Sequence, residues 1–281
     1  MIQELFHIGP VSISPFGVTM MLAFLAGYWQ LSRGLSRTGA GDADDAWAIT
    51  LAAGIGGILG AKIYYAVLYQ DWRLLLSRSG LVWYGGLLLG AALVLWVVRR
   101  RRLAMAGTLD ATALALALGY AIGRVGCFLV GDDYGVPSDL PWAVAFPVGL
   151  PTTTAWNLQE AFGVAIPSGV APDELLRVHP TQLYETLLAL MIWGVGLLLL
   201  RRGARGGAVA LTTVLLLALE RFGIEFLRAK DDRFIGDLTL AQGISLGVLL
   251  VAGGLAVWRW RGGSPAAEVG RRVGEPGRGR A

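Results

Sequence analysis

Three arginines and one glutamate carry the first chemistry that can be read in this chain. In ERFGIEFLRAKDD, Arg221, Glu225 and Arg228 stand at offsets of four and three, which places all three on one face of a helix. A carboxylate between two guanidiniums holds them in place and leaves donors free for a second anion. Guanidinium suits a phosphodiester, because it stays charged and offers paired donors. Arg124 lies in GRVGCFLVGDDYG, whose glycines, Gly135 among them, permit close backbone approach. Two structural readings compete: an ion-paired stripe that only locks helices together, and an arginine stretching to an interface.

Further polar residues cluster in short motifs. HPTQLYE supplies His179, Gln182, Tyr184 and Glu185, and WYGGLLLG supplies Tyr84, Gly85 and Gly86. GAKIYYAVLY supplies Lys62 with Tyr64 and Tyr65, and Asp132, Asp133 and Cys127 belong to the Arg124 segment. Each has a plainer role. His179 can cap or pack a helix start, Asp132 and Asp133 can solvate a loop, Cys127 can be a small core side chain, and Lys62 and the tyrosines can anchor an interface. His7, the other histidine, reads as terminal and exposed. One cysteine cannot close an internal disulfide, and with no CxxC or Cys/His cluster no metal site is expected.

The elements that must position these residues are membrane helices. Of 281 residues 55% are hydrophobic and 16% charged, and the mean hydropathy is +0.58. Soluble domains are roughly a quarter charged, so this chain lacks the polar surface that water requires. Its 40 glycines suit membrane helices that approach closely. Net charge +4 and a pI near 9.5 raise nucleic acid as a partner, but the arginines sit in short clusters beside apolar segments and no aromatic binding surface interleaves them. Apolar stretches near 14–32, 46–69, 81–98, 107–130, 181–200, 207–227 and 238–258 are each close to the ~20 residues a spanning helix needs. The fold expected is an all-α integral membrane protein of about seven spans. Asp110 should serve as dipole partner at the start of its own helix, and Pro180 should open the fifth span. MIQELFHIGP lacks the basic start of a cleavable signal peptide, so the first span is expected to insert the chain.

Connections on one side of these spans carry 15 Lys and Arg, and those on the other side carry 6. The positive-inside rule then puts the N-terminus outside and the C-terminus in the cytoplasm. Residues 131–179, long and rich in Gly, Pro and Asp, should form a small extracytoplasmic lobe near the active centre. Residues 1–261 read as one transmembrane catalytic domain, and the Gly/Pro/Arg-rich 262–281 as a disordered cytoplasmic tail. An ionisable group in hydrocarbon costs at least ~2.5 kcal/mol, so such groups tend to face an internal cavity. In this orientation Arg124, Arg221, Lys62, Tyr84, Gln182, Tyr184, Glu185 and Gln242 all fall in the outer half, so polar positions of six spans gather at one depth.

With these residues in view, the chain resembles the prolipoprotein diacylglyceryl transferase family. GRVGCFLVGDDYG is similar to that family's G-R-x-G-N-F-x-x-G-E-x-x-G, and HPTQLYE to its H-P-[ST]-Q-L-Y-E. RFGIEFLR is similar to R-x-x-x-E-F-x-R, WYGGLLLG to H-G-G-L-x-G, and GAKIYY to G-[GA]-[RK]-x-x-Y. The match runs in order from residue 14 to 258. Four positions depart from it: Tyr84 replaces a histidine, Cys127 an asparagine, Asp132 a glutamate and Phe16 a tyrosine.

The resemblance implies attack by the thiol of a lipobox cysteine, in the signal peptide of a bacterial prolipoprotein, on the glyceryl carbon of phosphatidylglycerol. A thioether forms and glycerol 1-phosphate departs, without metal or redox cofactor, in the bacterial inner membrane. Arg124 and Arg221 would stabilise the departing phosphate, with Glu225 and Arg228 orienting them and completing the anion site. Tyr84 would be a hydrogen-bond donor or proton relay, and His179 and Asp132 weaker base candidates. Cys127, Gly85, Gly86, Gly135, Gln182, Tyr184 and Lys62 complete the expected substrate site. Two rival readings are a transporter for an anionic solute, which needs water access from both faces, and a lipid-binding relative without turnover. An intramembrane protease fits worse, since no serine or paired aspartate lies inside a span with a partner.

Overall fold

The computed structural model describes residues 4–9, 11–76, 82–230, 233–236 and 238–261. A hairpin of β1 (Phe6–Ile8) and β2 (Val11–Ile13) precedes α1 (Pro15–Thr38), α2 (Ala43–Leu68) and a 3-10 turn at Trp72–Leu76. Then come α3 (Trp83–Arg100), α4 (Met105–Val130), the short α5 (Ala155–Phe162), α6 (Thr181–Arg201) and α7 (Ala208–Ile224). A second hairpin of β3 (Arg233–Ile235) and β4 (Leu238–Thr239) leads into α8 (Leu240–Arg261).

Local chemistry sets several of these ends. Ser14 accepts a hydrogen bond from the Gly17 amide at 3.1 Å, with Pro15 in the first turn of α1. Asp42 and Asp45 form a reciprocal capping box on α2. Helix α4 stops where Gly131 takes a left-handed conformation at φ 74°.

Among the described residues, seven long helices (α1, α2, α3, α4, α6, α7 and α8) overlap the apolar stretches that predicted them. Among the described residues, four (α2, α4, α6 and α8) are long and apolar enough to cross a membrane by length and composition. Large apolar side chains such as Leu25, Ile58, Leu88, Leu116, Leu187 and Leu250 are exposed along the helices, as a protein solvated by lipid requires. Inside, the contacts are made by small residues, with Ala46, Ala111, Ala117, Ala121 and Ala189 almost fully buried. Helix α4 is the centre: it packs on α1, α6 and α7, while α2 joins α1 to α3 and α8 leans on α7.

The connection from α4 to α6 has a core of its own, built from Tyr134, Phe146, Leu158 and Val178. Tyr134 stacks on Phe146 with ring centres 5.4 Å apart.

Two expectations are corrected. The helix predicted to continue to residue 227 ends at Ile224, with Glu225 as its C-cap. Beyond it the α4–α6 connection takes over the backbone bonds: the Leu227 carbonyl accepts from the Val136 amide, and the Ala229 amide donates to the Tyr134 carbonyl. Asp110 does not serve its own helix either. Its carboxylate accepts from the amides of Gly207 and Ala210, each at 2.7 Å, and so caps α7. The proposed tail, 262–281, lies outside the described residues.

Candidate active site

The polar centre is assembled from the C-terminal end of α4, the N-terminal end of α6 and the C-terminal end of α7. Arg124 and Tyr120, one turn apart, share a face of α4, and the Arg124 guanidinium stands 5.1 Å from the Tyr120 ring centre. After Gly131 the chain reverses through Asp133, whose φ of 61° is one that aspartate tolerates better than most residues. This turn is fixed from α6: Gln182 donates to the Asp132 carbonyl at 2.6 Å and Thr181 to the Asp133 carbonyl at 2.8 Å.

Three guanidiniums and three carboxylates then alternate around a closed ring. Asp133 pairs with Arg124 at 2.7 Å, Arg124 with Glu185 at 3.2 Å, and Glu185 with Arg221 at 3.2 Å. Arg221 pairs with Glu225 at 2.8 Å, Glu225 lies 3.8 Å from Arg228, and Arg228 returns to Asp133. The side chains of Glu185 and Glu225 are completely buried, whereas Arg221 keeps 24% and Asp133 35% of their surface exposed. The ring is therefore sealed at Glu185 and Glu225 and accessible at Arg221 and Asp133. Formal charges cancel, which is how six ionised groups can share a poorly solvated space.

The two aspartates differ. Burial opposes ionisation of Asp133, but the guanidiniums of Arg228 and Arg124 outweigh it and hold this carboxyl below the usual range. Burial, and then the charge of Asp133, push Asp132 up. Its carboxylate is not in the ring; it accepts from the Asp133 amide at 2.8 Å and borders a cavity of about 380 Å³ with Ser14, Phe16, Val130 and Leu150.

The sequence candidates divide accordingly. The structure brings Arg124, Arg221, Glu225 and Arg228 together, with Gln182 supporting them. Cys127 is adjacent, its sulfur 3.9 Å from Arg124 Nη1. Gly135 pairs with Arg228 in a one-residue bridge, and a Cβ there would strike the Leu227 carbonyl and the His179 side chain. Glycine at this position lets the two segments pass this closely.

His179 does not cap α6, which begins at Thr181 with Pro180 as its N-cap and no side-chain cap hydrogen bond. Its Nδ1 lies 3.3 Å from the Tyr184 hydroxyl, which also accepts from the Trp142 indole at 2.7 Å. Gly85 and Gly86 sit in the α2/α3 contact, where a Cβ on Gly85 would strike the Gly60 carbonyl. Tyr84, on the same turn of α3, is 41% exposed, and the ring includes neither it nor Lys62 on α2. Gln242 opens α8 and contacts the Phe222 carbonyl at 3.4 Å. Convergence at the ring is thus a property of three helices, the turn after α4 and the segment after α7, where the sequence suggested six spans.

Two members of the ring were not among the expected site residues. Glu185, which touches both Arg124 and Arg221, stands in the sequence only as one polar residue of HPTQLYE, and Asp133 only as the neighbour of Asp132. The signal for Glu185 was its own burial cost: a carboxylate in a span needs cations, and the arginines were at its depth.

Comparison with known proteins follows the same segments. A model of the prolipoprotein diacylglyceryl transferase family matches residues 3–258. Three proteins named phosphatidylglycerol--prolipoprotein diacylglyceryl transferase are similar over nearly their whole lengths. That of Sodalis glossinidius is 29% identical over 92% of this chain and 92% of its own. The Paraburkholderia xenovorans protein is 30% identical over 91% and 92%, and the Stenotrophomonas maltophilia protein 31% identical over 89% and 88%.

Proposed function

Because the chain belongs to the prolipoprotein diacylglyceryl transferase family, we propose that it is a membrane-embedded transferase that moves the diacylglyceryl group of phosphatidylglycerol onto the cysteine thiol of prolipoproteins. The observation that carries the mechanism is the arginine–carboxylate ring, in which Arg124 and Arg221 both hold Glu185.

The thiol sulfur attacks the glyceryl carbon as the carbon–oxygen bond to phosphate breaks, giving a thioether and glycerol 1-phosphate. Some per cent of a thiol with pKa of about 8.5 is ionised at neutral pH, so the harder task is the negative charge arriving on the leaving phosphate. Fixed guanidiniums in a water-poor site answer that charge without reorganising. Arg221, the more exposed arginine, is the first to meet the phosphate, and Arg124 closes on it from α4; Glu225 and Arg228 keep Arg221 aimed. Asp132 and the cavity beside it lie next to this centre and suit the reacting glyceryl part of the lipid.

The ring lies at the ends of α4, α6 and α7 opposite to those that carry Arg201, Arg202 and Arg205. This arrangement favours the orientation in which the ring, the 131–179 lobe and the N-terminus face outward and the C-terminus faces the cytoplasm. The protein is then a seven-span component of the bacterial inner membrane, acting on signal peptides that carry a lipobox cysteine. The test is complementation of a strain depleted of its own transferase. Thioether lipidation of a reporter lipoprotein is expected; a well-expressed chain that restores none would refute the assignment.

A further inference from the structure

Tyr120 belongs to none of the sequence motifs, yet it meets two members of the ring. It stands one turn before Arg124 on α4, and the Arg124 guanidinium lies 5.1 Å from its ring centre. Its hydroxyl donates to Glu185 Oε1 on α6 at 3.0 Å, and the same oxygen accepts from Arg221 Nη1 at 3.2 Å. One side chain thus packs against the first arginine and shares an acceptor with the second.

Hydrogen bonds are scarce on the buried side of the ring. Both oxygens of Glu225 and Oε2 of Glu185 have none among the described residues, although guanidinium nitrogens stand 2.8 and 3.8 Å from Glu225 and Arg124 Nε stands 3.2 Å from Glu185 Oε2. These contacts are attractive as charge, but charge alone sets no direction, whereas a hydrogen bond requires alignment. Of the four carboxylate oxygens of these two completely buried side chains, only Glu185 Oε1 is hydrogen-bonded, and Tyr120 supplies the shorter of its two bonds. Arg124 is in a similar position. Its one short bond to a carboxylate, at 2.7 Å, goes to Asp133, which is 35% exposed, so the aromatic face beside it is what confines a long and flexible side chain on the buried part of the site.

We propose that Tyr120 is a positioning residue of the transferase site, which through its hydroxyl on Glu185 and its ring against Arg124 fixes the spacing at which Arg124 and Arg221 meet the phosphate; this rests on the transferase reading above. The value of fixed guanidiniums is that they answer the charge developing on the leaving phosphate without having to be gathered at that moment. Without the phenol hydroxyl, Glu185 keeps Arg221 as its one hydrogen-bond donor among the described residues and is free to turn toward it, away from Arg124. Without the ring, Arg124 loses the surface that confines it. Tyr120 moves no proton and touches no reacting atom. It acts through the two arginines, and its effect belongs to the transition state more than to the binding of lipid.

The experiment compares the full chain with Tyr120→Phe, Tyr120→Leu, Arg124→Ala and the double variant of Tyr120→Phe with Arg124→Ala, in nanodiscs of phosphatidylglycerol with a lipobox peptide as acceptor. Glycerol phosphate release is read per folded molecule. Tyr120→Phe keeps the ring and loses the donor, and is expected to lower kcat about tenfold, the scale of a hydrogen bond to a charged group, with KM for the lipid within about twofold. Tyr120→Leu loses the ring as well, and kcat should fall a further few-fold. In the double variant the combined loss should be smaller than the product of the single losses, because the hydroxyl acts partly through Arg124. Near-normal kcat in Tyr120→Phe, a change confined to KM, or losses that multiply in full would each overturn the proposal. So would less folded protein with unchanged turnover per folded molecule, the mark of a role in packing alone. If Tyr120→Leu does not fold, Tyr120→Phe decides: it retains the ring, and α4 and α6 still pack together with Ala121 and Ala189 almost fully buried. Absence of transfer by the unaltered protein would remove the transferase reading and this role together; transfer by it with unaffected Tyr120 variants removes the role alone.

Discussion

Arg124 and Arg221 share Glu185, so either one removed leaves a completely buried carboxylate with half its compensation. If their main work is on the leaving phosphate, Arg124→Ala and Arg221→Ala lower glycerol phosphate release per folded molecule by about 100-fold, the scale of losing a preorganised donor to developing charge. Lysine restores little at either position, because it keeps the charge and loses the fork that spans two partners. Near-normal turnover in both alanine variants would reduce the ring to a structural clamp. Tyr84 belongs to a different part of the molecule, and a phenol whose unperturbed pKa is about 10 is a poor proton acceptor. Tyr84→Phe is therefore expected to retain measurable transfer, read in the same assay. Asp133 gives a pH signature. Its carboxyl is held below the usual range in the folded protein, so the stability it contributes is complete above the ordinary carboxylate range and is lost as pH falls through its lower folded value. The melting temperature of the unaltered protein should drop on acidification to below about pH 4, and Asp133→Asn should be less stable at neutral pH and flatter across that window.

At the scale of elements, the site depends on where α7 ends and how its start is held. Asp110, on α4, fastens the first turn of α7 through two amides that have no other partner in their own helix. Asp110→Ala leaves these donors unsatisfied in a buried place, at a cost of about 1–3 kcal/mol. It should lower the melting temperature in detergent while the remaining folded enzyme turns over near normally, because the ring lies at the other end of α7. A loss of turnover without loss of stability would show instead that the register of α7 is transmitted to Arg221. At the far end, the helix stops at Ile224 because the chain after Gly131 offers Leu227 and Ala229 better hydrogen-bond partners than another turn would.

At the scale of the whole molecule, lipid-facing walls of exposed leucine and isoleucine enclose a charge-neutral polar centre at one end of the bundle. In the proposed orientation that end faces outward. A cysteine label at the exposed Ser168 should react from the outer face alone, and a reporter fused after Ala281 should be active only in the cytoplasm. Labelling of Ser168 from the cytoplasm would invert the topology and move the ring to the inner leaflet.

Composition and the length of the apolar stretches were enough to locate the long helices of the described residues, because some twenty mostly apolar residues in a row have few alternatives in lipid. Local spacing of four also places Arg221 and Glu225 side by side at the end of α7, whereas Arg228 lies beyond the helix and reaches Glu225 and Asp133 only because the chain after Ile224 bridges to Gly135. Tertiary structure alone decided the partners across helices. Asp132 and Asp133 are adjacent in sequence, and which one turns toward the arginines depends on the left-handed turn that α6 pins through Thr181 and Gln182. Glu185 is joined to Arg124 and Arg221 by packing of α6 against α4 and α7, and Gly85 is spent on the α2/α3 contact because a backbone carbonyl occupies the space a side chain would need. Contacts of this kind follow from helix rotation and approach, which a one-dimensional pattern does not encode.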